Sequence, residues 1–240
     1  MKQLMYYSMY TTYMKKIIFG IFAHPDDEAF GPSGTLLLET RQGTELHLVT
    51  LTAGENGTNP DGHERLGDVR LEEWKKAGAL IGATSLHHFG YEDGTLNNLN
   101  HIEITQRIES LVIETIGSQS DIEIEMMSID LNGVTGHIDH IVASRSAVLA
   151  FYRLKAKGYP LTRIRLSCVP YSQLPNPNTS FVFMEAGRSD EEIDEVVDAS
   201  IVLPEIYQII RAHHTQRDDG QRHIENLGDG VAINSFFILT

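Results

Sequence analysis

The chain has 240 residues, 41% of them apolar and 22% charged, with a formal net charge of −14; this excludes a disordered or fibrous protein and suffices for one domain with a sizeable core. The acidity argues against nucleic acid and anionic membrane surfaces as partners, and no run of eighteen apolar residues offers a membrane span. The single cysteine, Cys168, excludes an intramolecular disulfide and a cysteine-rich zinc cluster, so any metal must be held by His, Asp or Glu.

Residues 1–13 carry four tyrosines and no apolar signal-like stretch. They read as a loosely held extension, with one domain expected over 14–240 and the cytoplasm as its location. Ile17 to Ala23 is a short, β-branched apolar run, suited to a strand buried on both faces. A polar turn follows, then a helix over Thr35–Arg41 with Gly43 as its stop, and a second strand over Leu46–Thr52. This β-turn-α-β opening predicts a parallel sheet with crossover helices.

The Gly- and Asn-containing stretch 53–61 is a loop. Helical spacing then runs over Glu64–Ile81, with Leu66, Val69, Trp74, Ala77, Leu80 and Ile81 as its expected buried face. Ser85–Phe89 is a third strand, His101–Ile116 a helix, Ile122–Ile129 a strand, and His137–Lys157 a long helix. The C-terminal third is less regular. It offers a strand over Ile164–Val169 with Cys168 buried in it, a proline-containing loop over 174–178 and a strand over 181–185. A helix after Pro204 and a last strand over Ser235–Leu239 complete it. The expected fold is α/β: a single domain with a Rossmann-like, mostly parallel sheet flanked by helices.

In open α/β sheets, ligands bind beyond the carboxyl ends of the strands. Four polar, titratable segments fall there: His24-Pro25-Asp26-Asp27-Glu28, Gly54-Glu55-Asn56-Gly57, Gly90-Tyr91-Glu92-Asp93-Gly94 and Gly136-His137-Ile138-Asp139-His140. Asp-Asp-Glu alone would be an ordinary acidic turn or helix cap. Behind His-Pro and a buried strand it becomes a stiff cluster of oxygen and imidazole donors. Neighbouring residues in a turn point in different directions, so one aspartate can bind a metal while the other faces its open position. His137 and His140, three apart at a helix start, occupy neighbouring parts of one face. One can complete a metal site; the other, beside Asp139, can act as an acid or electrophile.

With Ala23 before it, the first segment resembles the Ala-His-Pro-Asp-Asp-Glu signature of the LmbE/PIG-L deacetylases. His137-Ile138-Asp139-His140 resembles their His-x-Asp-His signature. Gly54-Glu55-Asn56-Gly57-Thr58, the Arg70-x-x-Glu73 helix, Gly90–Gly94 and His213-His214-Thr215-Gln216 are similar to further family segments, in order, through residue 216. The resemblance implies one zinc, or another divalent ion, on His24, Asp27 and His140. It implies Asp26 as general base, and His137, oriented by Asp139, as the group that stabilises or protonates the tetrahedral intermediate. Arg70, Asp93 and Gln216 would line the substrate site. The segment Ile129–Gly136 departs from the family by lacking its apolar-proline approach.

The expected reaction is removal of acetate from a small N-acetylglucosaminyl conjugate. Other readings are an amidase for another amino-sugar amide or thiol conjugate, a metal-dependent phosphoesterase, and a non-catalytic binding module. A dinucleotide-binding domain is disfavoured, since no Gly-x-Gly-x-x-Gly follows the first strand. The oligomeric state is open, a homo-oligomer included.

Overall fold

A computed structural model describes residues 14–173 and 187–240. The extension 1–13, the loop 174–178 and the strand 181–185 lie outside the described residues. In chain order the elements are β1 (Lys15–Phe22), α1 (Asp27–Phe30), α2 (Ser33–Arg41), β2 (Glu45–Thr52), α3 (Leu66–Ile81), β3 (Ser85–Tyr91), α4 (His101–Ile116) and β4 (Ile122–Ile129). They continue with α5 (Gly133–Gly136), α6 (Ile138–Ala156), β5 (Leu161–Cys168), β6 (Glu195–Asp198), α7 (Leu203–Ala212), α8 (Arg217–Leu227) and β7 (Ile233–Leu239), with short 3₁₀ turns between.

The strands form one seven-stranded sheet in the order β3-β2-β1-β4-β5-β7-β6. Strands β1 to β5 pair in parallel, while β7 runs antiparallel to both β5 and β6. The apolar run of β1 is buried on both faces, as a central strand requires. One face packs on α4 and α6 through Ile104, Ile108, Val112, Ala147 and Phe151. The other packs on α2, α3 and α7 through Leu36, Trp74, Ala77, Ile206 and Ile210. The chain lays β2 and β3 to one side of β1, then crosses to lay β4 and β5 on the other. The switch point therefore lies between the carboxyl ends of β1 and β4, and the two histidine-bearing segments leave the sheet there.

Three details depart from the sequence reading. The buried face of α3 carries Arg70 and Glu73 beside Leu66, Trp74, Ala77 and Ile81, while Leu80 is 43% exposed. A face aimed at a polar site replaces the purely apolar one. Second, α8 was not anticipated: its sequence is mostly polar and Gly220 is its one buried residue. Third, β6 is a four-residue edge strand, too short for alternation to reveal it.

Opposite the site, the sheet buries charge. Arg165, 1% exposed, lies 2.7 Å from Glu39 and 3.0 Å from Glu125, and Lys16 reaches both glutamates. Burial pushes the Glu39 carboxyl up, but Arg165 and Lys16 outweigh it and hold it below its ordinary range. A depressed carboxyl adds stability above its unfolded value and loses it as pH falls through the folded one. Removing one partner from such a network typically costs about 3–5 kcal/mol. Arg165→Ala is therefore expected to lower the unfolding free energy by about that amount at neutral pH, by chemical denaturation. The deficit relative to the parent should shrink below about pH 5, as Glu39 takes up a proton.

Candidate active site

His24 follows β1 directly and is held by the chain's own geometry. The Asp27 carboxylate turns back to accept the backbone N–H groups of Ala23 and His24, both at 3.0 Å, through Oδ2. That leaves Oδ1 facing His140, whose Nε2 lies 3.2 Å away. His24 Nδ1 lies 2.9 Å from the same His140 Nε2. His24 Nδ1 and Asp27 Oδ1 thus both approach His140 Nε2 from a segment 113 or more residues away, with His24 Nδ1 3.9 Å from Asp27 Oδ2. Donors around a tetrahedral ion bound at about 2.0–2.2 Å sit about 3.3 Å apart, so this spacing fits a small divalent cation.

The far edges of the rings are anchored. His140 Nδ1 lies 3.1 Å from the Gly133 carbonyl and donates to it, leaving the Nε2 lone pair for a ligand. His24 Nε2 faces Asp93 Oδ1 at 3.0 Å and Asp139 Oδ2 at 3.5 Å, at angles that make these electrostatic contacts rather than hydrogen bonds. Burial opposes a charge on His24, yet Asp139, Asp93 and the two aspartates raise its pKa to about 10. A proton there supplies the positive charge this acidic pocket demands, the charge a cation would supply in its place.

Among the described residues, two donor sets have ligand atoms within 4.8 Å of one another: His24, His137 and His140; and His24, Asp93 and Asp139. The second lies behind His24. Its oxygens are already engaged, Asp139 by the N–H groups of Gly94 and Leu96 and Asp93 by that of Asn56. The fit to a cation is better on the Nδ1 side, where Asp27 Oδ1 has no such partner.

Asp26 adopts φ 127°, ψ −22°, a backbone region that L-residues rarely occupy and that costs about 1–3 kcal/mol. The twist parts its side chain from that of Asp27. Arg70, 4% exposed, holds the turn by donating to Asp26 Oδ2 at 2.9 Å, the Pro25 carbonyl at 2.8 Å and the Gly54 carbonyl at 2.7 Å. Gly54 has φ +65°, and a Cβ on it would lie inside the Arg70 guanidinium. Beneath Asp26, Glu28 is fully buried. Its Oε2 accepts the Asp26 N–H at 3.3 Å, and its Oε1 lies 2.9 Å from Nε2 of His213. Burial pushes the Asp26 carboxyl up more than Arg70 pulls it down, whereas His140 and His24 overcome burial at Asp27 and hold it far below the carboxylate range.

His137 caps α6: its Nδ1 accepts the Asp139 backbone N–H at 3.2 Å. Burial first, then the charges of His140 and His24, lower its pKa. A neutral ring with Nδ1 accepting carries its proton on Nε2. The Asp139 carboxylate therefore backs His24, and it meets His137 through the backbone rather than through its oxygens as the sequence suggested.

The three residues expected to line the substrate site also make bonds within the protein. Arg70 clamps Asp26. Asp93 backs His24 and fixes the loop at Asn56. Gln216 is buried, bonded through its amide to Thr58. The neighbouring Thr215 gives its N–H and hydroxyl to Glu73 on α3. The roles of Glu28 and Glu73 were not read from the sequence, although Glu28 ends the first signature and Glu73 stands in the Arg-x-x-Glu pattern. The segment 129–136 that departs from the family carries Val134 at φ 56° and is pinned by Asp130, which takes two hydrogen bonds from Arg188 at 2.6 and 2.9 Å.

Comparison with known proteins bears on this geometry. The family model described as PIG-L, GlcNAc-PI de-N-acetylase, matches residues 19–151. The 1D-myo-inositol 2-acetamido-2-deoxy-alpha-D-glucopyranoside deacetylase of Thermomonospora curvata is 26% identical over 245 residues, covering 84% of this chain and 80% of that protein. The "Probable N-acetyl-alpha-D-glucosaminyl L-malate deacetylase 2" of Bacillus cereus is 28% identical over 153 residues, covering 62% and 66%. Among solved structures, N,N'-diacetylchitobiose deacetylase from Pyrococcus horikoshii superposes with a TM-score of 0.67 at 17% identity, covering 94% of this chain and 84% of that one. The 4-carboxy-2-hydroxymuconate hydratase of Pseudomonas putida gives 0.62 at 18%, covering 95% and 97%. The family match spans both signatures, from His24 to His140, and the chain belongs to the LmbE/PIG-L family of de-N-acetylases.

Proposed function

We propose that the protein is a metal-dependent hydrolase that removes acetate from an N-acetylglucosaminyl conjugate, with one zinc or similar divalent ion on His24, Asp27 and His140. The observation that carries this reading is the division of labour between two adjacent aspartates. Asp27 is ionised and aimed at the two histidines, whereas Asp26 is held apart from it with a raised pKa. The inositol- and malate-conjugate deacetylases among the relatives support the amino-sugar substrate.

When bound, the ion supplies Lewis acidity that makes water a competent nucleophile at neutral pH. The chain's own residues do the rest. Asp26, poised by burial near working pH, accepts a proton from the attacking water. Its strained backbone and the Arg70 clamp keep the carboxylate on the open side of the donor cluster. Water oxygen bonds to the acyl carbon, and charge develops on the former carbonyl oxygen. His137, neutral with its proton on Nε2, donates a hydrogen bond to that oxygen; such a donor is worth about a hundred- to a thousand-fold in rate. Asp26 then returns its proton to the nitrogen as the C–N bond breaks, releasing acetate and the free amine. This makes His137 a hydrogen-bond donor and assigns both proton steps to Asp26.

A phosphoesterase is less well supported, because Arg70, the buried guanidinium beside the donors, is committed to Asp26, Pro25 and Gly54. A hydratase is known on this fold, and acetate release separates the two chemistries. Purified protein is expected to contain one zinc or similar ion per chain by elemental analysis, and to release acetate from N-acetylglucosamine conjugates. Chelation should abolish turnover, and added zinc should restore it. Asp26→Asn should keep the metal and lose about a hundred- to ten-thousand-fold in kcat; full activity in that variant would remove Asp26 from the mechanism. Gly54→Ala should displace Arg70 and cost about a hundred-fold in kcat at unchanged metal content, because reacting groups tolerate little misplacement.

A further inference from the structure

Arg70, Asp93 and Gln216 all make bonds within the protein, and a further surface lies beside the donor cluster. A cavity of about 430 Å³ opens directly beside two of the three candidate ligands, Asp27 and His140. Its walls come from the carboxyl ends of β4 and β5, from α1, and from α8, the helix the sequence did not reveal. Phe30, Ile129, Val134, Val169 and Leu227 give it a hydrocarbon surface, and the Phe30 ring stacks on His223 at 5.6 Å.

Its charged groups add little polarity. Arg222 and Asp219, one turn apart on α8, pair with each other. The Cys168 thiol on the wall is pushed up to about 12, chiefly by burial, and stays uncharged. A polyol or a dicarboxylate placed here would give up water hydrogen bonds for hydrocarbon contacts, which opposes binding. An alkyl or aryl group would gain, and the volume lies within the range of small-molecule sites. Ser167, Gln173 and Asn226 also reach the wall, but most of the surface it offers is apolar.

We propose that this cavity is a specificity subsite for a hydrocarbon group carried close to the scissile amide, so that the preferred substrate is an apolar amino-sugar amide rather than an inositol or malate conjugate. The inference rests on the amide-hydrolase reading of the metal centre for its location, and on the cavity wall alone for its ligand. The hydrocarbon can enter from either side of the amide: as an aglycone on the sugar or as an acyl chain longer than acetyl. Both place the same chemistry against Phe30 and Leu227.

The test uses the full-length, zinc-loaded protein and two homologous series. One is N-acetylglucosaminides with methyl to octyl aglycones; the other is methyl glucosaminides with N-acetyl to N-octanoyl groups. Affinity is measured by calorimetry, and kcat/KM by release of the free amine. Burying each methylene is expected to improve affinity by about four-fold, in one series or the other, until the cavity is filled. The series that shows the slope identifies the side that enters. Leu227→Gln should flatten the slope. Leu227→Phe, which only fills space, should shorten the longest chain accepted and serves as the second variant if the glutamine protein folds poorly. Flat affinity in both series, or tighter binding of inositol or malate conjugates than of alkyl ones, overturns the proposal. A slope in affinity without amine release leaves the subsite standing and removes the hydrolase reading. Amine release without any slope does the reverse.

Discussion

Three consecutive carboxylates, Asp26, Asp27 and Glu28, are buried at the end of the central strand, and the rest of the site follows from how each is compensated. Ionised carboxylates cannot stay buried unless their charge is answered locally. Asp27 is answered by two backbone N–H groups and by His140 from α6. Asp26 is answered by Arg70 from α3. Glu28 is answered by His213 just after α7. No two of these partners share an element, so the turn can be buried only when three separate crossovers have docked. This makes assembly of the site a condition of burying the turn.

The same constraint separates the chemistry of the two aspartates. Side by side with equal surroundings, they would share protons as a like-charge pair. The positive φ at Asp26 goes with a carboxylate held against Arg70, while Asp27 Oδ1 lies against His140. Backbone strain of about 1–3 kcal/mol is held in place by hydrogen bonds from Arg70 and to Glu28. Gly54 contributes by lacking a side chain, since any Cβ there would occupy the space of the guanidinium.

Much of this was legible before any coordinates. The apolar run of β1 pointed to the parallel core, because a strand buried on both faces carries no polar alternation. The signatures at His24 and His137 located the donor cluster, because strand ends at a switch point are where such residues can act. The second layer was not legible. That Asp139 backs His24, and that Arg70 clamps Asp26, depends on which way side chains turn across 40 or more residues of separation. Spacing along the chain carries no such information. The polar helix α8 was missed for a different reason: its function in the fold is to wall a cavity, so it needs only a narrow apolar edge.

The division between what was and was not legible follows a division in the molecule. The matched family region, residues 19–151, contains the donor cluster, Asp26, Arg70 and His137. The groups that line the adjoining cavity from β5 and α8 lie beyond it, after residue 160. Proton transfer tolerates errors of a fraction of an ångström, so the first region has little freedom in backbone or side chain. A cavity wall needs only shape and polarity, which many sequences supply. The donor cluster and the part of the wall supplied by β5 and α8 thus answer to different physical requirements. Chemistry can stay fixed at the β1–β4 crevice while the wall built by α8 changes what is brought to it. Under the proposed function, the paired aspartates and the two histidines carry hydrolysis, and the cavity wall that includes α8 carries the choice of substrate.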